Sequence, residues 1–217
     1  MDAKTEIFQK IRAALALSQE APAPEVPRNY RMHGEFPPGS PEVIADMQQK
    51  LEDYKAQVIL TDAAGLHEAI TAALSGVKSV VVPNGLDPEW INAAKAAGAE
   101  IRVDHPSAGE TLSHHQLDQT DAVLTASRCG VSLSGTIMLD GEPDQGRRAI
   151  TLVPDKHVLV LRATDIYEVV PEAVAVLGQN PTRPTTWIAG PSATSDIELK
   201  RVDGVHGPRN LTVIIVQ

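Results

Sequence analysis

Short apolar runs separated by helix-sized gaps are the feature that most constrains the fold of this chain. Such runs recur at residues 57–60, 79–82, 100–103 and 121–125. Helical patterns at 64–74 and 88–97 lie between them. A parallel connection needs a crossover helix, and strands buried on both faces are continuously apolar, so the pattern predicts βαβ units. We therefore expect an α/β fold with a Rossmann-like, open and mostly parallel sheet that carries helices on both faces.

The pattern changes in the middle of the chain. Residues 131–139 and 149–153 are β-rich, and the turn segment 140–146 that joins them begins with Asp-Gly. This segment is too short for a crossover helix, so we expect an antiparallel excursion from the sheet. The remaining predicted elements are a strand at 156–161, a helix at 165–177 and a last strand at 211–216.

An amphipathic helix is predicted near the start of the chain. Over residues 4–17, the apolar side chains of Ile7, Ile11 and Leu15 fall on one helix face. A stripe of this kind must be covered by protein. It either docks on its own domain or contacts a second chain, so a homo-oligomer is one of the two possibilities.

A proline-rich segment separates this helix from the rest of the chain. Prolines recur between residues 18 and 41 and forbid a regular element there. Ser40 then has the side chain of a helix N-cap and is followed by a proline, which predicts a helix over 41–54. We therefore divide the chain into residues 1–40, an amphipathic helix and proline-rich arm, and residues 41–217, an α/β domain.

The composition restricts the classes of partner and cofactor. A formal net charge of −9 argues against nucleic acid, whose phosphates need a basic surface. No apolar run is long enough to cross a bilayer and no signal-peptide core is present, so we expect a cytoplasmic protein without membrane insertion. Cys129 is the only cysteine, which leaves no ligand set for an iron–sulfur cluster. We expect this thiol to be buried, and we expect no bound cofactor.

Histidines close to one predicted strand end raise the question of a metal site. His105, His114 and His115 lie near Asp104 in the sequence, and His206 could join them in space. Their spacing matches none of the usual ligand patterns, so we expect no metal. The glycine-rich loops of nucleotide-binding proteins are also missing from the sequence.

Small polar and turn-forming residues are dense from Gly190 to Pro208. An apolar run at 187–189 predicts a strand that enters a Gly-Pro turn, and Ser195 with Glu198 fits a helix capping box. Amide groups at such a helix start favour an anion. In the alternative interpretation, Ser195 only caps a helix and the glycines only let the chain turn.

Strand ends and a pair of arginines extend this candidate site. In an open parallel sheet, ligands bind beyond the carboxyl ends of the strands, here 61–62, 83–85, 104–105 and 126–128. Arg147 and Arg148 begin a β-rich run, where alternation sends one side chain to an anion and the other to solvent; alternatively, both are solvated. The ligand-binding site that we predict for a small anion consists of Gly135, Thr136, Arg147, Gly190, Ser192, Thr194, Ser195, Asp196 and His206.

Several of these segments together resemble those of a known family. The segments are 134–140, 146–148, 152–158, 190–198 and 204–209. In order and spacing they are similar to the LUD-domain family, and the first helix with its proline-rich arm extends the likeness to nearly the whole chain. The resemblance implies a fold related to ribose-phosphate isomerase, glucosamine-phosphate deaminase and CoA-transferase. It also implies a role in oxidising L-lactate to pyruvate beside two companion proteins that carry the iron–sulfur clusters.

One departure from the family bears on catalysis. Family members commonly carry Glu-Thr-Gly-Thr where this chain has Leu-Ser-Gly-Thr, starting at Leu133. A carboxylate that could act as acid, base or nucleophile is therefore missing. We expect an accessory, non-redox subunit that binds iron–sulfur companion proteins and a small anion. The alternatives are a stand-alone enzyme acting on a phosphorylated sugar or a CoA thioester, and a scaffold that contacts another protein through its first helix.

Overall fold

Helix α1 (Ala3–Leu17) confirms the amphipathic helix predicted near the start of the chain. It lies in the smaller of two units, Met1–Tyr30, and the larger unit is Arg31–Gln217. The side chains of its apolar stripe, including Ile7 and Leu15, are exposed. The computed structural model describes residues 2–17, 25–194, 202–204 and 206–217.

The helices of the larger unit begin where the sequence carries capping residues. Ser40 Oγ accepts a 3.4 Å hydrogen bond from the amide of Val43, and Pro41 lies in the first turn, as predicted. Among the described residues, no helix is long and apolar enough to cross a membrane. The helices, in chain order, are α2 (Pro41–Asp53), α3 (Leu66–Ala73), α4 (Pro88–Ala96), α5 (His114–Asp118), α6 (Arg148–Leu152) and α7 (Val170–Leu177).

The strands form a large sheet, a small sheet and one isolated pair. In chain order they are β1 (Gln57–Thr61), β2 (Ser79–Pro83), β3 (Glu100–Asp104), β4 (Ala122–Ala126), β5 (Cys129–Val131), β6 (Thr136–Leu139), β7 (Lys156–Arg162), β8 (Ile166–Tyr167), β9 (Thr186–Ile188), β10 (Ala193–Thr194), β11 (Val202–Asp203) and β12 (Asn210–Val216). The isolated pair is β10 with β11, which are antiparallel.

The large sheet has the strand order β1-β12-β7-β4-β2-β3, and all of its pairings are parallel. It confirms the predicted Rossmann-like, open α/β architecture. Val158 and Val160 of β7 pack in the cluster that contains α3 and α4, whereas Leu159 and Leu161 pack in the cluster that contains α2. Helices therefore cover both faces, which is why the central strands are apolar throughout.

The small sheet confirms the antiparallel excursion but uses other strands than the sequence suggests. Its order is β8-β5-β6-β9, with β6 antiparallel to both of its neighbours. The strand predicted at 149–153 is wrong, because these residues belong to α6 and the turn after it. Ala149, Ile150 and Val153 pack in one cluster, and their spacing is that of a helix face. The run predicted at 131–139 is likewise interrupted, by a 3₁₀ turn over Ser132–Ser134.

The helix predicted over 165–177 begins later than expected. Ile166 is buried and pairs with Gly130 as part of β8, and α7 starts only at Val170. Pro171 explains this start, because a proline fits the first turn of a helix but disrupts any turn that precedes it.

The carboxylate of Glu168 binds residues 31–36, which open the larger unit. It accepts hydrogen bonds from the amides of Glu35, at 2.5 Å, and Phe36, at 2.9 Å, and it pairs with the guanidinium of Arg31. The hydrogen bond from the backbone amide of Phe36 makes the largest contribution to holding the pKa of Glu168 below its ordinary value. Residues 31–36 therefore follow a defined path although they contain no helix or strand.

Candidate functional site

Three hydrogen bonds join the turn after β9 to the turn before β12. The amide of Ser192 donates to the carbonyl of Pro208 at 2.8 Å, and the amide of Gly204 donates to the carbonyl of Ser192 at 2.8 Å. The amide of His206 donates to Ser192 Oγ, also at 2.8 Å. Ser192 is thus bonded through its amide, its carbonyl and its hydroxyl. Two stretches that are separate in sequence therefore form one hydrogen-bonded wall.

Gly190 is required by the path of the first turn. Its φ angle is +80°, in the left-handed region. A Cβ atom at this position would lie 2.6 Å from Tyr54 Cβ and 3.2 Å from the Tyr54 carbonyl oxygen. Both the backbone conformation and the close approach therefore exclude other residues.

A cavity of about 270 Å³ opens beside this wall, and we refer to it as the turn cavity. It is bounded by α6, by β9 and by the first residues of β7 and β12. The cavity therefore lies at the amino ends of β7 and β12, opposite to the edge where ligands of parallel sheets usually bind. Its polar lining residues include Arg148, Thr151, His157, Ser192 and His206.

Arg148 is the cation of the turn cavity. Among the described residues, no carboxylate lies within ion-pairing distance of its guanidinium. Arg148 also lines a cleft of about 490 Å³ on one side and a pocket of about 530 Å³ on the other. A guanidinium without a carboxylate partner among the described residues, next to a wall of turns, can hold a small carboxylate or phosphate.

His157 lies inside the cavity wall and adds no positive charge. Its side chain is 1% exposed, and its Nε2 atom lies 2.8 Å from Thr125 Oγ1. Burial lowers the pKa of His157 from the ordinary 6.5 to about 3, so the ring is neutral at physiological pH. Within the described lining, the positive charge thus comes from Arg148, with His206 as an exposed imidazole.

Arg147, which we predicted for the site, is held elsewhere. Its Nε and Nη2 atoms each lie 2.8 Å from an oxygen of Asp104, and Nη2 also donates to the carbonyl of Leu112. Hydrogen bonding to Asp104 raises the pKa of the Arg147 guanidinium. The two arginines do diverge, but Arg148 lines the turn cavity and Arg147 lines only the adjoining cleft.

Of the other residues predicted for the site, some line the turn cavity and others lie elsewhere. Gly190, Ser192 and His206 line the turn cavity. Gly135 and Thr136 do not, because Gly135 packs against Lys50 of α2 and Thr136 begins β6 in the small sheet. Thr194 lies in β10, paired with β11. Ser195, Asp196 and the helix start predicted there lie outside the described residues.

The structure gives two further answers about reactive side chains. In the part of the chain that the structure describes, no three His, Cys, Asp or Glu side chains come together in a way that could hold a metal. Cys129 is fully buried, with its Sγ atom 3.8 Å from Met138 Sδ, and burial raises the pKa of the thiol to about 12. It is therefore the buried cysteine that the sequence suggests rather than a nucleophile.

Fold and site define an open, parallel-sheet α/β protein with a polar cavity among its loops. The sequence profile of the LUD domain matches residues 44–216, so the chain belongs to the LUD domain family. Lactate utilization protein C of Deinococcus radiodurans is 40% identical over 217 residues, which cover 99% of this chain and 96% of that protein.

More distant relatives and a solved structure agree with this assignment. Lactate utilization protein C of Bacillus subtilis strain 168 is 27% identical over 178 residues, covering 74% of this chain and 72% of that protein. The uncharacterized protein YkgG of Escherichia coli K12 is 25% identical, covering 100% and 99%. The crystal structure of a DUF162 family protein from D. radiodurans superposes with a TM-score of 0.66 at 35% identity, covering 81% of this chain and 97% of that one.

Proposed function

We propose that this chain serves lactate utilisation as an accessory subunit without a redox centre, beside iron–sulfur proteins that oxidise L-lactate to pyruvate. The observation that carries the proposal is the 40% identity to a lactate utilization protein C, which extends over 99% of this chain. With a single cysteine, these 217 residues cannot by themselves supply the thiolates of an iron–sulfur cluster. Electron transfer therefore belongs to the partners in this proposal.

The proposed task of the turn cavity is to bind a small carboxylate. Arg148 offers a guanidinium with no carboxylate partner among the described residues, and the cavity, at about 270 Å³, has the size for a small metabolite. A hydrogen bond to a charged group contributes about 1.5–3 kcal/mol, so the loss of this cation should weaken such a ligand about tenfold or more. The fixed wall at Ser192 and His206 would limit how the ligand is oriented.

Growth on L-lactate tests the role of the chain in lactate utilisation. In a strain without another lactate oxidase, deletion of the gene should abolish growth on L-lactate but leave growth on pyruvate intact. The Arg148→Gln variant should complement poorly. The matched control is Lys95→Gln, which removes an exposed positive charge from α4 on the opposite face of the sheet. Normal growth of the deletion strain on L-lactate would refute the proposal.

Purification from lactate-grown cells tests the partners. The tagged chain should recover proteins that contain iron and labile sulfide, and lactate oxidation should require them. Turnover of a phosphorylated sugar or a CoA thioester by the purified chain alone would instead support a stand-alone enzyme.

A further inference from the structure

A second pocket, of about 330 Å³, lies at the carboxyl ends of β2, β4 and β7, and we refer to it as the carboxyl-edge pocket. Gly85 lies just beyond β2, Ser127 and Arg128 follow β4, and Arg162 ends β7. It shares no lining residue with the turn cavity. This is the edge at which open parallel sheets bind their ligands.

The loop over residues 142–146 closes the pocket and is held in place by backbone bonds. The amide of Gly85 donates to the carbonyl of Pro143 at 3.1 Å, and the amide of Ala126 donates to the carbonyl of Asp144 at 3.1 Å. A Cβ atom on Gly85 would lie 2.4 Å from Pro143 Cβ, so only glycine permits this approach. Gln145 is buried, and its Oε1 atom accepts a 2.7 Å hydrogen bond from the amide of Asp140. The pocket is therefore formed before any ligand arrives.

Guanidinium groups provide the positive charge of this pocket. Arg162 is exposed, and no carboxylate of the described residues lies within ion-pairing distance of it. Arg128 donates from Nη2 to Gln179 at 2.9 Å. Its buried Nε atom has no hydrogen-bond partner among the described residues and lies 3.8 Å from Asp140. The exposed guanidinium of Arg162 can therefore donate to an anion, and Arg128 adds positive charge beside it.

A carboxylate on the closing loop provides the matching acceptor. The Oδ1 atom of Asp144 is buried and has no hydrogen-bond partner among the described residues. Burial is the main cause that raises the pKa of this carboxyl, while Arg162 opposes the rise. A buried acceptor without a donor is unfavourable, and a donor group of a ligand would offset this cost. Two other carboxylates line the pocket: Glu142, which pairs with Arg183, and Asp165.

We propose that the carboxyl-edge pocket binds a small anion that also carries a hydroxyl group, either a hydroxy acid or a sugar phosphate. The guanidinium of Arg162 holds the anionic group, and the carboxylate of Asp144 accepts the hydroxyl hydrogen. The proposal concerns a site separate from the turn cavity and does not depend on the role in lactate utilisation.

Calorimetric titration of the purified full chain tests the proposal. The probes are L-lactate and ribose 5-phosphate, which carry a hydroxyl group, and pyruvate and inorganic phosphate, which match their anionic groups. At least one hydroxylated anion should bind saturably and more tightly than its matched probe. The two hydroxylated probes distinguish a hydroxy acid from a sugar phosphate.

Three variants locate the binding. Arg162→Gln, at an exposed position, should weaken the hydroxylated anion about tenfold, the usual effect of losing a charged hydrogen bond. Asp144→Asn should reduce its advantage over the matched probe. Lys95→Gln, which removes an exposed positive charge from α4, should leave its binding unchanged. The idea is overturned if no hydroxylated anion binds saturably at millimolar concentration, or if binding survives Arg162→Gln.

Discussion

The amide of His206 donates a 2.8 Å hydrogen bond to Oγ of Ser192. The hydroxyl of Ser192 therefore holds two turns together, and its backbone contributes two further bonds to the same wall. Ser192 thus has a structural role in this arrangement, whatever ligand the turn cavity accepts.

We expect Ser192→Ala to lower the free energy of unfolding by about 1 kcal/mol, because one hydrogen bond between the turns is lost. Urea denaturation followed by circular dichroism provides the measurement. Ser75→Ala is the control, since Ser75 is exposed in a turn and its side chain makes no described hydrogen bond. Equal stability of the two variants would contradict the structural role of the Ser192 hydroxyl.

The pair formed by Arg147 and Asp104 should dominate the stability of the loop at the end of β3. Asp104 is 1% exposed, so Arg147→Met would leave a buried carboxylate without its cation. We expect a loss of about 3 kcal/mol, at the lower end for buried pairs because the Arg147 side chain is 29% exposed.

The control for this pair is the exposed one between Glu100 and Arg102, where the Glu100 side chain is 67% exposed. Glu100→Gln should change the free energy of unfolding by less than about 0.5 kcal/mol. A loss below 1 kcal/mol for Arg147→Met in the same denaturation assay would contradict this prediction. It would mean that water or other groups solvate the Asp104 carboxylate.

His157 should make the protein less stable as the solution becomes acidic. Its pKa is about 3 in the folded state against an ordinary 6.5, so the unfolded state binds the additional proton between these values. The contribution of the neutral His157 ring to the free energy of unfolding is complete above pH 6.5 and is lost as the pH falls toward 3. The slope for one proton approaches about 1.4 kcal/mol per pH unit.

The measurement is the free energy of unfolding at several pH values between 7 and 4, for the wild type and for His157→Gln. Because carboxylates also titrate in this range, the difference between the two proteins is the quantity that counts. The wild type should lose stability more steeply. Parallel curves would mean that the histidine is solvated in the folded state.

The contacts of Glu168 should keep residues 31–36 in place. Glu168→Gln removes the charge that pairs with Arg31 and weakens the bonds from the amides of Glu35 and Phe36. Hydrogen exchange at these two amides should become severalfold faster, and trypsin should cleave sooner after Arg31. Glu89→Gln, an exposed change on α4, should have neither effect. Acid should act in the same direction as Glu168→Gln, because the contacts that lower the pKa of Glu168 need a charged carboxylate and weaken once it is protonated.

The parallel sheet could be predicted because strands buried on both faces leave continuous apolar runs in the sequence. The same argument failed for residues 149–153, where a short apolar run fits a strand and a helical turn equally well. The helix pattern also placed the start of α7 too early, although Pro171 indicates that the helix begins just before it. Periodicity thus identifies long elements and leaves short ones ambiguous.

The candidate site depended on contacts that sequence separation hides. The density of turn residues pointed to Ser192 and His206, which the structure brings together. We predicted Arg147 for the site, but Asp104, located 43 residues earlier, binds Arg147, and Arg148 lines the turn cavity instead. His157 was not predicted to line the cavity, because the sequence of an apolar strand does not show which of its residues lies beside a cavity. The helix start at Ser195 remains a prediction.

The position of β12 between β1 and β7 has a consequence for synthesis of the chain. Gln57 of β1 contacts Thr212 of β12, 155 residues later. When the ribosome has released the first strand, its neighbour does not yet exist, and its unpaired backbone edge is open to other chains. The large sheet can be completed only when β12 inserts between β1 and β7, and parallel pairing over such a sequence separation is intrinsically slow to form.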